Sequence, residues 1–208
     1  RLDTAVRALQ LLEEEERAEA VRIASDLKQL NDSRKEMTDI YVKQAVRSVE
    51  ENGLMQDRVL VIYLPDCHES LAGIIAGRIR EKYYKPVFVL TRGEEGVKGS
   101  GRSIEAYHMY EEMTRVRHLF TKYGGHKMAA GLSLEEKDVE DFRREINEVC
   151  TLTESDMEER IHIDVPMPVS HVSMEFVKEL ELLEPFGNGN PKPVFAHKDL
   201  TFLSARIL

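Results

Sequence analysis

Two short segments carry residue types that can hold phosphate. They are Lys98-Gly99-Ser100-Gly101-Arg102-Ser103 and, twenty residues on, Tyr123-Gly124-Gly125-His126-Lys127-Met128-Ala129-Ala130-Gly131. Each sets glycine among cationic, imidazole or hydroxyl side chains, which lets a backbone close on an anion. If the first segment is extended, alternation puts Lys98, Ser100 and Arg102 on one face and Gly99 and Gly101 on the other. An ammonium, a hydroxyl and a guanidinium on one face can cradle a phosphate, with Arg102 able to donate a bidentate pair. In the second, Gly124 and Gly125 can take positive φ and present successive amides as an anion nest, at a helix start for example. His126 and Lys127 add a donor and a charge. Either segment alone also reads as a glycine turn with incidental charge. Their pairing points to a polyphosphate or nucleic-acid ligand.

Asp66-Cys67-His68-Glu69 contains metal-capable atoms between an apolar run and a helical pattern. Adjacent residues rarely converge on one ion, and no second cluster supplies further ligands. Asp66, Glu69 or Ser70 as a helix cap is the simpler reading. The chain has no paired-carboxylate set, no Gly-x-Ser-x-Gly elbow and no Walker loop. By this reading it binds rather than breaks bonds.

The elements that position these residues follow from periodicity. Leu2, Ala5, Val6, Leu9 and Leu12, then Val21, Ala24 and Leu27, then Tyr41, Ala45 and Val49, fall at helical spacing. Asn31-Asp32-Ser33 predicts a break between two long helices. Arg58 to Leu64 reads as a buried strand, Leu71 to Tyr83 as a helix and Pro86 to Leu90 as a second strand. That is a βαβ unit with a parallel strand pair. Lys98 to Ser103 reads as a strand, Tyr107 to Val116 as a helix, Ala129 to Leu134 as helix or strand, and Lys137 to Val149 as an amphipathic helix. Beyond Thr151, Ile161 to Val165 alternates as a half-buried strand, and Phe176 to Leu183 is helical. Glu184 to Pro193 is a loop, and Thr201 to Leu208 reads as a strand.

The 208 residues, 42% apolar and 32% charged, describe an ordinary globular chain of net charge −9. That charge is uneven. Arg58 to Gly131 holds 12 Lys and Arg against 8 Asp and Glu, a net +4, and the remainder carries −13. A basic island in an acidic chain suits a local phosphate-binding face, although ordinary solvated charge gives the same count. No apolar run is long enough to cross a bilayer, so no membrane partner is expected. Cys67 and Cys150 form no ligand pair, and a reducing cytosol is the expected compartment. The chain opens on Arg1 without a signal segment, which suggests a piece of a longer protein.

Taken together, these segments resemble the RecJ family of bacterial single-stranded-DNA-specific exonucleases in the DHH phosphoesterase superfamily. The resemblance runs through Arg1-Leu2-Asp3, His68-Glu69-Ser70 and Gly73-Ile74-Ile75-Ala76-Gly77-Arg78. It continues through Lys98 to Ser103, Tyr123 to Gly131, and Leu183-Glu184-Pro185-Phe186-Gly187-Asn188-Gly189-Asn190-Pro191. It implies an α/β fold: helices over 1–54 tied to a catalytic domain, a DHH-associated substrate-binding domain with a mixed sheet over 55–150, and the start of a β-rich OB-fold over 151–208. It implies a 5′→3′ exonuclease of DNA repair and recombination, in the bacterial cytoplasm, that acts on single-stranded DNA. The family's Asp-His-His motif and metal-binding aspartates are absent here. Mn²⁺ or Mg²⁺ would therefore sit in the missing N-terminal catalytic domain, the partner this fragment needs. A single-strand-binding protein is a further implied partner. By the match, Ser100 and Arg102 grip the 5′ phosphate, while Gly124, Gly125, His126 and Lys127 contact the backbone near the scissile bond. Lys98, Ser103, Glu69, Arg78 and Arg1 are further carry-overs.

Two rivals stand beside this reading. One is a superfamily phosphodiesterase for short oligonucleotides or cyclic dinucleotides, whose members carry Gly-Gly-Gly-His where this chain has Tyr123-Gly124-Gly125-His126. The other is a non-catalytic nucleic-acid-binding or protein-interaction module that docks through the acidic helices.

Overall fold

A computed structural model of the chain describes residues 5–201 together with 204 and 206. Two compact units divide at Glu158. The first begins with helices α1 (Ala5–Glu13) and α2 (Arg17–Glu51), linked by the charge between Arg7 and Asp26. The helical spacing of Val6, Leu9 and Leu12 holds, yet these side chains are exposed. The expected break at Asn31-Asp32-Ser33 does not occur, because α2 runs through it without interruption. Asn31 accepts from Arg34 at 2.9 Å and Asp32 pairs with Lys35 at 3.6 Å, so these polar groups find partners one turn ahead along the helix. The chain breaks instead at residues 14–16, within the acidic run.

The C-terminal end of α2 packs under a five-stranded mixed sheet. Its strands are β1 (Leu60–Tyr63), β2 (Val87–Gly93), β3 (Gly96–Arg102), β4 (Phe120–Gly125) and β5 (Ala129–Leu134), in the order β1-β2-β3-β5-β4. β1 and β2 are parallel, joined through α3 (Glu69–Tyr83), as the βαβ pattern predicts. The other pairings are antiparallel. Helices α4 (Met109–Arg115) and α5 (Val139–Glu148) complete the unit. The segment from Ala129 is a strand and not a helix. Tyr123-Gly124-Gly125 ends β4, which sequence periodicity did not reveal, and so opens a hairpin rather than a helix.

Alternation divides the sheet between two cores. Leu60, Ile62, Val87 and Val89 face α3, meeting Leu71, Ile75 and Ile79 with Ala45 and Val49 of α2. Val61, Phe88, Leu90, Val97, Leu132 and Leu134 face the other way, onto Met109, Met113, Phe142 and Ile146 of α4 and α5. On this second face Gly99 and Gly101 leave room that their neighbours fill. A Cβ at Gly99 would lie 2.4 Å from Leu90 Cδ2, and one at Gly101 would lie 2.5 Å from Met109 Sδ. That interlock fixes the register of β3, and a slip of one residue would exchange its two faces.

The second unit, from Glu159, holds helix α6 (Met174–Glu181), capped by the Ser173 hydroxyl, and a two-residue parallel pair, β6 (Val165–Pro166) with β7 (Phe195–Ala196). The strand expected over Ile161 to Val165 is thus reduced to its last residue. Asp164 bonds instead to Val194, through N–H to O at 3.0 Å and from Val194 N–H to Oδ2 at 2.8 Å. Most of the strand expected over 201–208 lies outside the described residues.

At the open edge of β1, Asn147 of α5 stands in for a missing strand. Its Oδ1 accepts from the N–H groups of Arg58 and Val59, each at 2.9 Å, and its Nδ2 donates to Val59 O at 2.9 Å. Asn147→Ala leaves three backbone groups without partners and is expected to lower unfolding free energy by about 2–3 kcal/mol. Urea denaturation measures it; an unchanged midpoint would show that water replaces the side chain fully.

Candidate functional site

Beyond β3, the face of the sheet that α3 covers on β1 and β2 is open and polar. Cross-strand register arranges it in rungs. Val87 pairs with Arg102 and then Ala129; Val89 with Ser100, Gly131 and Gly124; Thr91 with Lys98, Ser133 and Lys122. Lys98, Ser100 and Arg102 therefore share one face, as alternation predicts, and Gly124 joins them. Gly131 and Gly124 make a bare floor: a Cβ at Gly131 would find only Gly99 O, at 3.9 Å, and one at Gly124 nothing within 4 Å. Glu69, Ser70, Thr91, Lys98, Ser100 and Ser133 line a cleft of about 380 Å³ where α3 begins.

Arg102 lies half-buried against α3. Its Nη1 donates to Gly101 O at 2.8 Å and more weakly to the Ser100 hydroxyl at 3.4 Å. No carboxylate pairs with it among the described residues. Gly73 of α3 makes the fit possible, because a Cβ there would come 2.8 Å from Arg102 Nη2 and 3.0 Å from Ser100 Oγ. Glycine inside a helix is unfavourable by about 1 kcal/mol relative to alanine, and close approach is its use here. A guanidinium with free donors, a hydroxyl and an open glycine floor together form a site for an oxyanion.

Lys98 is already engaged. Its Nζ lies 2.6 Å from Glu69 Oε2, which pulls the Glu69 carboxyl below its usual range and raises the Lys98 ammonium above its own. Because the folded pKa of Glu69 is depressed, the pair's contribution is present at neutral pH and is lost as pH falls through that lowered value. Both side chains are about half exposed, so solvent keeps the contribution small. α3 itself is capped by His68, whose Nδ1 accepts from Ser70 N–H at 3.2 Å, rather than by Asp66, Glu69 or Ser70.

The β4–β5 hairpin brings in the second segment. At its turn Gly125 has φ of +154°, and a Cβ there would lie 2.4 Å from Ala129 O, so only glycine fits. His126 N–H donates to Ala129 O at 2.8 Å, and the His126 Nδ1 accepts from Met128 N–H at 3.3 Å. The neutral ring then carries its proton on the exposed Nε2, a donor facing solvent. Lys127 pairs with Glu105. Ser103 N–H bonds Met128 O at 2.9 Å and Met109 N–H bonds Lys127 O at 3.0 Å, which ties the turn to the start of α4.

Two expected site residues fall elsewhere, and a third is not among the described residues. Ser103 is buried and its hydroxyl donates to Tyr107 O at 2.7 Å, so it closes the turn after β3 and faces no ligand. Arg78 points to α2, where it pairs with Asp39 at 3.5 Å. Arg1 lies outside the described residues. Conversely, Gly131 and Ser133 share the open face, and only the cross-strand register shows it.

Comparison with known proteins accords with this geometry. Residues 56–152 match the DHHA1 domain model and residues 163–208 the RecJ OB domain model. The single-stranded-DNA-specific exonuclease RecJ of Bacillus subtilis is 36% identical over 197 residues, which cover 93% of this chain. The chain carries the domain pair of the RecJ exonucleases, a DHHA1 domain and a RecJ OB domain. RecJ of Thermus thermophilus is 30% identical over 94% of the chain. Its crystal structure with Mn²⁺ superposes with a TM-score of 0.78 at 27% identity, covering 93% of this chain and 28% of that one. The fold is therefore the expected one, helices followed by a mixed α/β sheet and an OB domain. The chain spans between 25% and 36% of the length of the curated RecJ relatives it matches. RecJ structures were determined with Mg²⁺ or Mn²⁺, but among the described residues no group of three or more His, Cys, Asp or Glu could hold a metal ion.

Gly73→Ala is expected to displace the Arg102 head, a flexible group, and not the fold. Thermal stability should hold or rise, within the helix preference of about 1 kcal/mol. Affinity of the site for an oxyanion, read with inorganic phosphate, should fall. Loss of stability with unchanged affinity would mean that the contact belongs to packing alone.

Proposed function

We propose that this chain is the substrate-holding part of a 5′→3′ single-stranded-DNA exonuclease. Its open sheet face keeps the DNA end in place while a separate DHH domain, with Mn²⁺ or Mg²⁺, hydrolyses the phosphodiester. The observation that carries this reading is the Arg102 guanidinium beside Ser100, seated on Gly73 and free of any carboxylate among the described residues. RecJ relatives at 30–36% identity are named as exonucleases specific for single-stranded DNA, which supports that substrate class.

In this reading Ser100 and Arg102 receive the terminal 5′ phosphate. The Gly124-Gly125 backbone lets the strand lie close, the His126 Nε2–H donates to a backbone oxygen, and Lys127 adds charge at the turn. Glu69 sets the place of Lys98 at the cleft. Residues 1–54 would connect to the catalytic domain, 55–150 would form the substrate-binding domain, and 151–208 would begin the OB module. Service in DNA repair and recombination, a cytoplasmic setting and contact with a single-strand-binding protein follow from the same assignment.

The test uses the full-length protein, with metal chelated so that the probe survives. Binding of 5′-phosphorylated and 5′-hydroxyl single strands is compared by fluorescence anisotropy. The wild type should prefer the phosphorylated strand. Arg102→Ala should lose that preference at a cost of about 1–3 kcal/mol, the range of a charge-assisted contact. Equal wild-type affinity for both strands would sink the end-gripping role.

A further inference from the structure

β4 contains an irregularity that changes where one lysine points. Phe120 pairs with Leu134, but the next pair is Lys122 with Ser133, so one extra residue, Thr121, is inserted into β4. The Thr121 hydroxyl donates to Ser133 O at 3.2 Å and anchors the bulge. Without it, strict alternation from Phe120, whose ring packs into the α4–α5 core, would turn Lys122 into that core as well. With it, Phe120 and Tyr123 both face the core, and Lys122 and Gly124 both face the open side. Bulges recur where a strand must re-aim a side chain.

The re-aimed lysine completes a rung. Lys98, Ser133 and Lys122 lie side by side on β3, β5 and β4, two residues along from Ser100, Gly131 and Gly124. By strand geometry the two rungs are about 7 Å apart, and the outer one spans about 10 Å from Lys98 to Lys122. Lys98 is committed to Glu69, whereas Lys122 is exposed and has no ion pair among the described residues. The Ser133 hydroxyl beside it makes no hydrogen bond of its own among those residues. Of the described carboxylates that act on this rung, Glu69 is paired with Lys98, and Glu94 and Glu95 of the β2–β3 turn also act on the Lys98 ammonium; none of them pairs with Lys122.

We infer that Lys122 and Ser133 form a second phosphate contact, one rung beyond the end-holding site, that receives an internal phosphodiester of the strand. The inference rests on the proposed function, since it needs a nucleic-acid chain leaving the Ser100–Arg102 site across the glycine floor. It adds a binding pair that the terminal phosphate never touches. The bulge is then a positioning device that brings the Lys122 ammonium beside the Ser133 hydroxyl.

The test compares Lys122→Ala, Ser133→Ala and Arg102→Ala in the full-length protein, with metal chelated. Two probes are used: a 5′-phosphorylated oligothymidylate and 5′-thymidine monophosphate, which has no internal phosphodiester. Lys122 is exposed, so its loss should leave folding intact. Lys122→Ala should weaken the oligonucleotide about three- to fivefold, the range of an exposed ion contact. It should flatten the dependence of log affinity on log salt by about 0.7, one phosphate of a single strand. Monophosphate binding should not change. Ser133→Ala should weaken the oligonucleotide without altering the salt slope. Arg102→Ala should weaken both probes. If Lys122→Ala leaves the oligonucleotide and its salt slope unchanged while Arg102→Ala weakens both probes, the second contact is wrong and the end-holding reading stands. If Lys122→Ala weakens the monophosphate equally, it acts on the terminal phosphate and the inference also fails. If Arg102→Ala changes neither probe, the end-holding reading falls, and this inference falls with it.

Discussion

The rest of the structure depends on how β3 is locked into the sheet. Its core side is almost without side chains, and Phe88, Leu90, Met109 and Leu132 close over Gly99 and Gly101 at distances that leave no space for a Cβ. Packing of that density cannot be shifted by one residue without voiding one face and overfilling the other. Lys98, Ser100 and Arg102 have no freedom to choose their side. The chemistry of the open face is thus held by the apolar packing on the opposite face. Phe88 in turn meets Phe142 of α5 edge-on, with ring centroids 5.1 Å apart, so α5 supports a strand it does not touch on the polar side.

α3 determines how much of that face remains accessible. It covers β1 and β2 with Leu71, Ile75 and Ile79, then stops short, so β3 is half under the helix and β5 and β4 are uncovered. A sheet face left in water must be polar or small, and this one is Ser, Gly, Ala and Lys. Gly73 lies on the boundary. It trades helix preference for the chance to seat a guanidinium directly on the helix backbone. The electrostatics follow the same boundary. The chain is acidic overall, but the open face carries Lys98, Lys122 and Arg102, with the Glu69 carboxylate paired to Lys98 and no described carboxylate paired to Lys122 or Arg102. Attraction of an anion is therefore local and depends on salt, and the net charge is a poor guide to it.

Much of the positioning frame was legible in the residues. The apolar runs around Val61 and Val89 with a helical pattern between them gave the parallel pair, and the alternation of Lys98, Ser100 and Arg102 against two glycines gave the face. The misses have physical causes. Asn31-Asp32-Ser33 looked like a cap because these side chains favour caps, but side chains one turn ahead satisfied them inside α2. Ser103 looked like a ligand by its company, and cross-strand geometry turned it inward to Tyr107 O. β4 escaped notice because its bulge spaces Phe120 and Tyr123 three residues apart, which imitates a helix and hides a strand. Gly131 and Ser133 became part of the face only once the register was known, since nothing local marks a small residue as a neighbour of Ser100.

The bulge also bears on why an open face beside an edge strand is tolerable. β4 closes the sheet at one side, and a flat, regular edge strand there would offer its unpaired N–H and C=O groups to another chain. An inserted residue breaks the ladder and twists the strand, while the exposed Lys122 makes pairing with a second strand unfavourable. The same lysine is attractive to a polyanion and repulsive to a copy of itself. In the proposed reading, one inserted residue separates two kinds of partner by charge, admitting phosphate to the face and discouraging backbone addition at the edge. A sheet used for binding must solve both problems with the same few residues, and here the solution sits at Thr121 and Lys122, in the strand whose sequence looked least like one.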